Sequence, residues 1–245
     1  MDRDRPRERV AEARRGEGGA KVPYPIRIRR LEVTGTRRIG PAMLRLTLGG
    51  PELAGFESHS VVDEHVKLVF PDPDGGLRVP EQNGLMLSWP KPMPPTRDYT
   101  VRRYDAERGE LDLDVVLHPG GLASEWAARV GPGEPVWVAG PPAGLAVPER
   151  YDHYLLAGDT TALPAIARWV ENMPPDTRGW VFVEVADAGL GMDTEDLDDA
   201  NARLEQPVLL DSSVPRQMGL FVVGALARRH GITARLLPGR VASSR

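Results

Sequence analysis

Alternation of apolar and polar residues dominates the chain as far as Gly140. Because successive side chains of a strand point to opposite faces, such alternation predicts half-buried β-strands. Turn residues separate the alternating runs, most clearly in the Asp-Pro-Asp-Gly-Gly segment at 72–76. The pattern predicts strands at 26–34, 43–48, 66–70, 98–104, 110–118 and 135–139, with one helix at 124–130. Six short strands and one inserted helix favour a closed antiparallel barrel with a helical cap.

The pattern changes after the Gly-Pro-Pro segment at 140–142. A short apolar run at 154–157 predicts a strand, residues 161–172 predict a helix, and 181–186 predict a second apolar strand. Strand, helix and strand in this order are typical of the βαβ unit that begins a parallel nucleotide-binding sheet. We therefore expect two domains of different architecture.

Composition is that of an ordinary globular protein. The 245 residues are 41% hydrophobic and 27% charged, which suffices for one large or two ordinary domains. The formal net charge of -4 gives no support for a nucleic-acid partner or for binding to an anionic membrane. The absence of cysteine excludes disulfides, thiol catalysis and cysteine-ligated metals. A monomer is favoured, and no metal site is expected.

The N-terminal residues are highly charged and almost without apolar side chains, so we expect a disordered tail at 1–21. No apolar run reaches the length of a membrane-spanning helix, and the N-terminus lacks the apolar segment of a signal peptide. A cytoplasmic location without a membrane partner is the expectation.

The segment at 97–104, Arg-Asp-Tyr-Thr-Val-Arg-Arg-Tyr, carries the first candidate chemistry. In a strand, Arg97 and Tyr99 share one face while Thr100 and Arg102 share the other. A guanidinium offers a planar, charged fork for a phosphate, and a neighbouring aromatic ring offers a plate for a flat heterocycle. The pair suits a flavin dinucleotide, although a plain hairpin strand is the alternative interpretation.

A second candidate lies where the strand at 110–118 ends in a glycine-containing turn and a helix begins. Backbone N–H groups of about 122–124 are then expected at a helix N-terminus, which favours anions. His118 at the strand end is a candidate for hydrogen bonding to a flavin or for a structural role. Asp112 and Asp114 lack a third acid or histidine at metal-ligand spacing, so we expect them to be solvated.

Together the two segments resemble the siderophore-interacting proteins, which are FAD-dependent ferric-siderophore reductases of the ferredoxin-reductase superfamily. The matching residues are Arg97-x-Tyr99-Thr100-x-Arg102, Val116-Leu117-His118 and Ala123-Ser124-x-Trp126-Ala127, with further likeness at 133–141 and 155–166. The resemblance extends over about 22–184. It implies a six-stranded antiparallel flavin-binding barrel at 22–147, followed at 151–184 by the start of a parallel NAD(P)H-binding α/β domain.

The resemblance also implies roles for individual residues. Arg97 would hold the FAD pyrophosphate, Tyr99 would stack on the isoalloxazine, and Thr100 would bond its polar edge. The remaining residues of the flavin pocket would be Val116, His118, Gly121, Ala123, Ser124 and Trp126. The residues facing the nicotinamide of NAD(P)H would be Gly158, Asp159, Thr161 and Ala162. Asp159 or Thr161 can equally serve as a helix N-cap.

The implied chemistry is redox. A flavin takes a hydride from a nicotinamide and releases electrons singly, as ferric iron requires. Ferrous iron is held more weakly by hard oxygen chelators, so it leaves the siderophore. A loaded siderophore is often anionic, and Lys91, Arg102 and Arg103 are the nearest basic candidates, although each can equally belong to a solvated face.

Residues 185–240 resemble instead the C-terminal part of a sensor histidine kinase ATP-binding domain. The likeness rests on Asp187-x-Gly189-x-Gly191, a predicted helix at 193–205 and the glycine-containing segment 214–231. It implies a hybrid tail at 185–245 and a truncated or hybrid nucleotide-binding domain; a simple α/β tail is the alternative. The magnesium-binding asparagine box has no counterpart, so phosphoryl transfer is not expected.

Three functions follow from these patterns. The first is a ferric-siderophore reductase that uses FAD and NAD(P)H. The second is a flavin- or siderophore-binding remnant without turnover. The third is an ATP-binding signalling module of the histidine-kinase type.

Overall fold

The computed structural model describes residues 3–184, 194–205 and 235 of the chain. The elements are α1 (Pro6–Arg15), β1 (Ala20–Pro23), β2 (Ile28–Gly40), β3 (Met43–Gly49), β4 (His65–Val69), β5 (Glu81–Asn83), β6 (Met86–Ser88), β7 (Thr96–Thr100), β8 (Arg103–Asp105), β9 (Glu110–Val116), α2 (Leu122–Ala127), β10 (Pro135–Ala139), β11 (Ala143–Ala146), β12 (His153–Asp159), α3 (Leu163–Asn172), β13 (Arg178–Glu184) and α4 (Thr194–Glu205). None of the described helices has the length and apolar content needed to cross a membrane.

The chain divides into two compact units. The first comprises Met1–Arg38, Ala42–Tyr151 and Pro164–Asn172, and the second comprises Ile39–Pro41, Asp152–Leu163 and Met173–Arg245. Most of helix α3 therefore belongs to the same unit as the N-terminal strands.

A large sheet dominates the first unit, with strand order β7-β4-β10-β2-β3-β9-β8. The pairs β4–β7, β4–β10, β2–β10, β3–β9 and β8–β9 are all antiparallel. The antiparallel sheet expected from the sequence is therefore confirmed. The single strand predicted at 98–104 is split into β7 and β8, because the backbone changes partner between them. The N–H of Val101 donates to the carbonyl of Glu64 at 2.9 Å, and that of Arg102 donates to the carbonyl of Asp112 at 2.9 Å.

The core of this sheet follows directly from the period of two along each strand. In β3, Leu44, Leu46 and Leu48 are buried, and β9 pairs its own buried residues with them, Leu46 lying opposite Leu113. Helix α2 covers part of the core. Removal of this apolar surface from water is the main stabilising term, at about 25 cal/mol per Å².

The N-terminal residues differ from the disordered tail expected at 1–21. Helix α1 buries Val10 in a small cluster with Val22 and Tyr24, and β1 pairs with β11 in antiparallel register. The Arg14 guanidinium donates to the carbonyls of His59 at 3.3 Å and Ser60 at 3.2 Å. One buried valine and arginines bound to carbonyls order the segment, and composition does not reveal such tertiary contacts.

In the second unit, β12 and β13 form a parallel pair, with His153 opposite Arg178 and Asp159 opposite Glu184. This confirms the parallel strands predicted on either side of α3 in the sequence. Helix α4 confirms the helix predicted near 193–205. The other predictions for the tail at 185–245, including its glycine segments, lie outside the described residues.

A buried carboxylate joins several elements of the first unit. Glu64 is fully buried, and its Oε1 accepts hydrogen bonds from the Tyr24 hydroxyl at 2.9 Å and the His59 N–H at 2.7 Å. Its Oε2 accepts from the Ser58 hydroxyl at 2.8 Å and from the guanidinium of Arg168 on α3. A buried charge is tolerated only when it is paired and its acceptor sites are filled. Here both conditions are met.

Gly144 in β11 packs against this cluster. A Cβ at this position would collide with Val61 Cγ2 and with the Tyr24 hydroxyl, and would lie 3.1 Å from Glu64 Cγ. We therefore expect Gly144→Ala to lower the free energy of unfolding by roughly 1–3 kcal/mol through overpacking. Urea unfolding followed by tryptophan fluorescence measures this change. Gly35→Ala is the control, because a Cβ there meets no atom within 4 Å; equal midpoints for the two variants would contradict the prediction.

His59 predicts a dependence of stability on pH. Its side chain is 6% exposed and its Nε2 has no hydrogen-bond partner among the described residues, although Glu57 Oε2 lies 3.6 Å away. Burial lowers the pKa of His59 below its ordinary 6.5, against the opposing charges of Glu64 and Glu57. The folded state then binds fewer protons than the unfolded state, so stability falls as the pH drops below about 6.5.

We expect His59→Asn to flatten the loss of unfolding free energy between about pH 7 and pH 5, because it removes this titrating group. Urea titrations at several pH values measure the slope. His65→Asn is the matched loss of a histidine at the start of β4. A slope that His59→Asn leaves unchanged would show that other groups account for it.

Candidate functional site

The residues of the first candidate segment lie on β7, at the edge next to β4. Arg97 lies opposite Leu68, Tyr99 opposite Val66 and Thr100 opposite His65. The Arg97 side chain is exposed and donates to the carbonyl of the preceding Thr96 at 2.7 Å. Within the described part of the chain, no carboxylate lies within ion-pair distance of it. Its charge is thus available to an anionic ligand.

Tyr99 is half-buried and packs against the core of the sheet. Burial raises the pKa of its phenol, with the Arg97 charge opposing the shift. The hydroxyl therefore stays protonated and can donate a hydrogen bond. One face of an aromatic ring held in this way is fixed by protein contacts, which suits a stacking role.

The second candidate segment forms a tight turn between β9 and α2. The N–H of His118 donates to Ser124 Oγ at 2.7 Å, and that hydroxyl donates back to the His118 carbonyl at 2.8 Å. The imidazole lies directly over Gly121, where a Cβ would come within 2.6 Å of Nε2. The glycine is needed for this close approach. Helix α2 starts at Leu122, two residues earlier than predicted, and ends at Ala127.

Ala123 and Trp126, two further residues predicted for the flavin pocket, have packing roles that the structure shows. Ala123 is buried in the core, and the Trp126 ring meets Phe70 edge to face at 5.5 Å between centroids. Val116 is half-buried at the end of β9. The contribution of these residues to cofactor binding stays a prediction.

Asp112 and Asp114 correct the expectation that they are solvated. They are 3% and 5% exposed, and arginines neutralise them. Arg45 binds Asp114 through two bonds of 2.7 and 2.8 Å, and Arg103 Nε binds Asp112 at 2.7 Å. Arg45 reaches its partner because β3 places it directly opposite Asp114. No group of three side chains able to hold a metal ion occurs among the described residues.

The basic candidates for an anionic substrate are mostly paired. Arg102 binds Glu171 on α3 through two bonds of 2.7 and 2.6 Å. Arg103 has three carboxylate partners, Asp105, Glu110 and Asp112. Only Lys91, which is exposed, keeps the character of a surface cation among these three candidates.

The loop between β12 and α3 is shaped by Asp159. Its Oδ1 accepts from the Thr161 hydroxyl at 2.6 Å, the Thr161 N–H at 2.8 Å and the Ala162 N–H at 3.3 Å. These hydrogen bonds lower the pKa of the Asp159 carboxyl. These bonds shape the turn that precedes α3. A local structural role of Asp159 is therefore shown, and its role as the helix N-cap stays a prediction. Gly158 lies opposite Val183 in the parallel pair. A contact of these residues with a nicotinamide stays a prediction.

Sequence reasoning missed Glu64 and Arg168, whose ion pair lies next to the first candidate segment. Arg168 is 6% exposed and its Nη1 also donates to the carbonyl of Val101 at 2.6 Å. The sequence did contain one indication of this ion pair. Arg168 is the single charged residue in the apolar start of α3, Leu-Pro-Ala-Ile-Ala-Arg-Trp-Val. An arginine in such a setting is rarely buried without a partner.

Two family models match the chain. The siderophore-interacting FAD-binding domain matches residues 32–145, and the siderophore-interacting protein model matches residues 151–206. The second match continues beyond residue 184, where the sequence resemblance was expected to end. It assigns 185–206 to this family, and the histidine-kinase resemblance finds no support.

Curated relatives agree with these matches. The NADPH-dependent ferric-chelate reductase of Escherichia coli is 41% identical over 154 residues, 62% of this chain and 60% of the relative. The ferric vibriobactin reductase ViuB of Vibrio cholerae is 37% identical over 169 residues, 67% of this chain and 60% of the relative. The chain thus spans about 60% of the length of the curated relatives it matches.

Two solved structures are similar over most of the chain. A siderophore utilization protein from T. fusca is 40% identical, with a TM-score of 0.64 over 71% of this chain and 67% of that one. The siderophore-interacting protein SipS from Aeromonas hydrophila is 31% identical, with a TM-score of 0.54 over 78% of this chain and 69% of that one. Together with the two family matches, these similarities show that the chain belongs to the siderophore-interacting protein family.

Proposed function

We propose that the chain is a flavoprotein reductase that passes electrons from NAD(P)H through FAD to ferric iron held by a siderophore. The observation that carries the proposal is the arrangement on β7, where an exposed Arg97 stands two residues from a half-buried Tyr99. Among the residues that the structure describes, no carboxylate pairs with this arginine. This strand lies within the match to the family's FAD-binding domain. Relatives named as ferric-chelate and ferric vibriobactin reductases support the reaction class.

We propose further that the large sheet closes as a six-stranded barrel within 22–147. Strands β7 and β8 stand at opposite ends of the strand order, yet they are consecutive parts of one segment. That segment pairs with β4 through β7 and with β9 through β8. A segment that pairs with both ends of a sheet removes its free edges, which supports closure.

The flavin-binding residues then divide the work by their surroundings. Arg97 binds the pyrophosphate through a charge-assisted fork, and the protonated phenol ring of Tyr99 packs on the isoalloxazine. Thr100, half-buried at the end of β7, offers its hydroxyl to the polar edge. The bonds between Ser124 and the His118 backbone hold the turn in which the imidazole lies over Gly121, so this part of the proposed site is fixed before the cofactor binds. Val116, at the end of β9, is proposed to line the same site.

FAD, when bound, accepts a hydride and gives up electrons one at a time, as ferric iron requires. The residues proposed to hold the nicotinamide donor are those of the loop Gly158 to Ala162, with 151–184 as the start of the donor domain. Asp159 gives this loop its shape through its bonds to Thr161. Reduction softens the iron, and the oxygen chelator releases it. Lys91 is the basic residue proposed to attract the anionic ferric chelate.

We expect Arg97→Ala to weaken FAD binding by roughly 10- to 150-fold, the loss of one charged hydrogen bond of about 1.5–3 kcal/mol. Because Arg97 contacts only the neighbouring Thr96 carbonyl among the described residues, the variant should unfold at the same urea concentration as the wild type. FAD titration of the apoprotein, followed by flavin fluorescence, gives the Kd. Arg37→Ala removes an equally exposed arginine outside the site. An unchanged Kd for Arg97→Ala would overturn the assignment of the pyrophosphate contact.

Turnover distinguishes the reductase from a flavin-binding remnant. Anaerobic NADPH is expected to bleach the flavin absorption of the purified chain, and a ferric chelate is then expected to restore it as ferrous iron appears with a ferrous-specific dye. Bands that persist with NADPH but bleach with dithionite would show a flavoprotein that this donor does not reduce. The proposed reaction would then be wrong, although the FAD site would stand.

A further inference from the structure

We propose that Arg168 and Glu171 of helix α3 are positioning residues for β7, the strand that carries the proposed flavin-binding residues Tyr99 and Thr100. Arg168 holds the backbone carbonyl of Val101, and Glu171 holds the side chain of Arg102. Both contacts come directly after Tyr99 and Thr100 and so fix the place of those two side chains at the cofactor. The inference rests on the proposed FAD site. It concerns contacts within the first compact unit, to which residues 164–172 belong.

Val101 is the point at which the segment leaves β4 and joins β9. Its N–H still bonds the Glu64 carbonyl, while the next N–H already bonds Asp112 across the sheet. Val101 is fully buried, so its carbonyl has no water to bind. A buried carbonyl without a partner is destabilising, because nothing replaces the water that it has lost. Arg168 Nη1 supplies the missing donor at 2.6 Å.

The donor must be an arginine that is itself neutralised. Nη1 of Arg168 is directed to Val101, and Nη2 binds both the Ser58 hydroxyl at 2.8 Å and the buried carboxylate of Glu64. A guanidinium can make these contacts at once because its N–H groups form a rigid fork. A lysine carries the same charge but lacks that geometry. The backbone and side chain of Glu64 therefore both act on Val101, the first directly and the second through Arg168.

A second contact fixes the register between helix and strand. Glu171 lies three residues after Arg168, on the same face of α3, and takes the guanidinium of Arg102 in two bonds of 2.7 and 2.6 Å. The Asn172 side chain donates to the Arg168 carbonyl at 2.7 Å within the same helix. The helix thus presents a cation and then an anion, while the strand presents a carbonyl and then a cation. A slip of one residue would break both contacts.

The consequence reaches the flavin because β7 is short. It has five residues, Thr96 to Thr100, and beyond them the ladder with β4 ends. The position of Tyr99 therefore depends on how the backbone is held at Val101. We expect loss of the helix contacts to alter the flavin environment even where the protein remains folded.

The test compares variants of the full chain with bound FAD. Arg168→Lys keeps the charge but not the fork, and Glu171→Gln breaks the outer pair. Glu64→Gln with Arg168→Met removes both buried charges together, so that neither is left unpaired if the single change fails to fold. Arg78→Gln is the matched control, since Arg78 forms a comparable two-bond pair with Asp72 in the turn after β4. The readouts are the FAD Kd, the visible circular dichroism of the bound flavin and its midpoint potential, with urea unfolding in parallel.

We expect Arg168→Lys and the double variant to raise the FAD Kd by about tenfold and to change the flavin dichroism, with a smaller rise of about two- to fivefold for Glu171→Gln. Arg78→Gln should leave the FAD Kd, the flavin dichroism and the midpoint potential as in the wild type. Variants that lose stability but keep the wild-type Kd, dichroism and potential would overturn the inference. A wild-type chain that binds no FAD would overturn the proposed function first, so the two failures are distinguishable.

Discussion

The ion pair between Glu64 and Arg168 is the interaction on which the first unit most depends. Neither charge can be left alone in the interior, since removing one partner of a buried pair costs about 3–5 kcal/mol. The need to satisfy them therefore fixes everything they touch. Three separate segments meet at this pair: Tyr24, which follows β1, the loop at 58–59 and the backbone of Val101. Burial and the Glu64 charge raise the pKa of the Tyr24 phenol, which keeps its hydroxyl a donor.

Local pattern was sufficient to predict the strands and the order of the two architectures. Alternation of period two requires only that one face be buried, and in β3 and β9 the leucines obey it. The apolar runs of β12 and β13, on either side of a predicted helix, predicted the parallel pair from the order of the elements. The candidate residues Arg97 and Tyr99 were also accessible to this reasoning, because their shared face follows from spacing alone.

Contacts between distant segments were not accessible in this way. Asp112 and Asp114 look like ordinary solvated acids until β3 places Arg45 and Thr47 opposite them. The arm at 3–21 has the composition of a disordered tail, yet a single apolar residue, Val10, and a strand pairing with β11 order it. In each case the decisive quantity was cross-strand register or a tertiary partner, which the sequence encodes only through the whole fold.

The three arginines of the segment 97–104 show how the ion-pair partners of a side chain determine what it can bind. Arg97, Arg102 and Arg103 are chemically identical and lie within seven consecutive residues of one another. Arg102 and Arg103 form ion pairs with carboxylates from α3, β8 and β9, so their charge is neutralised within the protein. Arg97 is exposed, and its one hydrogen-bond partner among the described residues is the backbone carbonyl of Thr96. Arg102 and Arg103 hold the backbone segment in place because carboxylates neutralise them. Arg97 is suited to the proposed dinucleotide phosphate because no described carboxylate neutralises it.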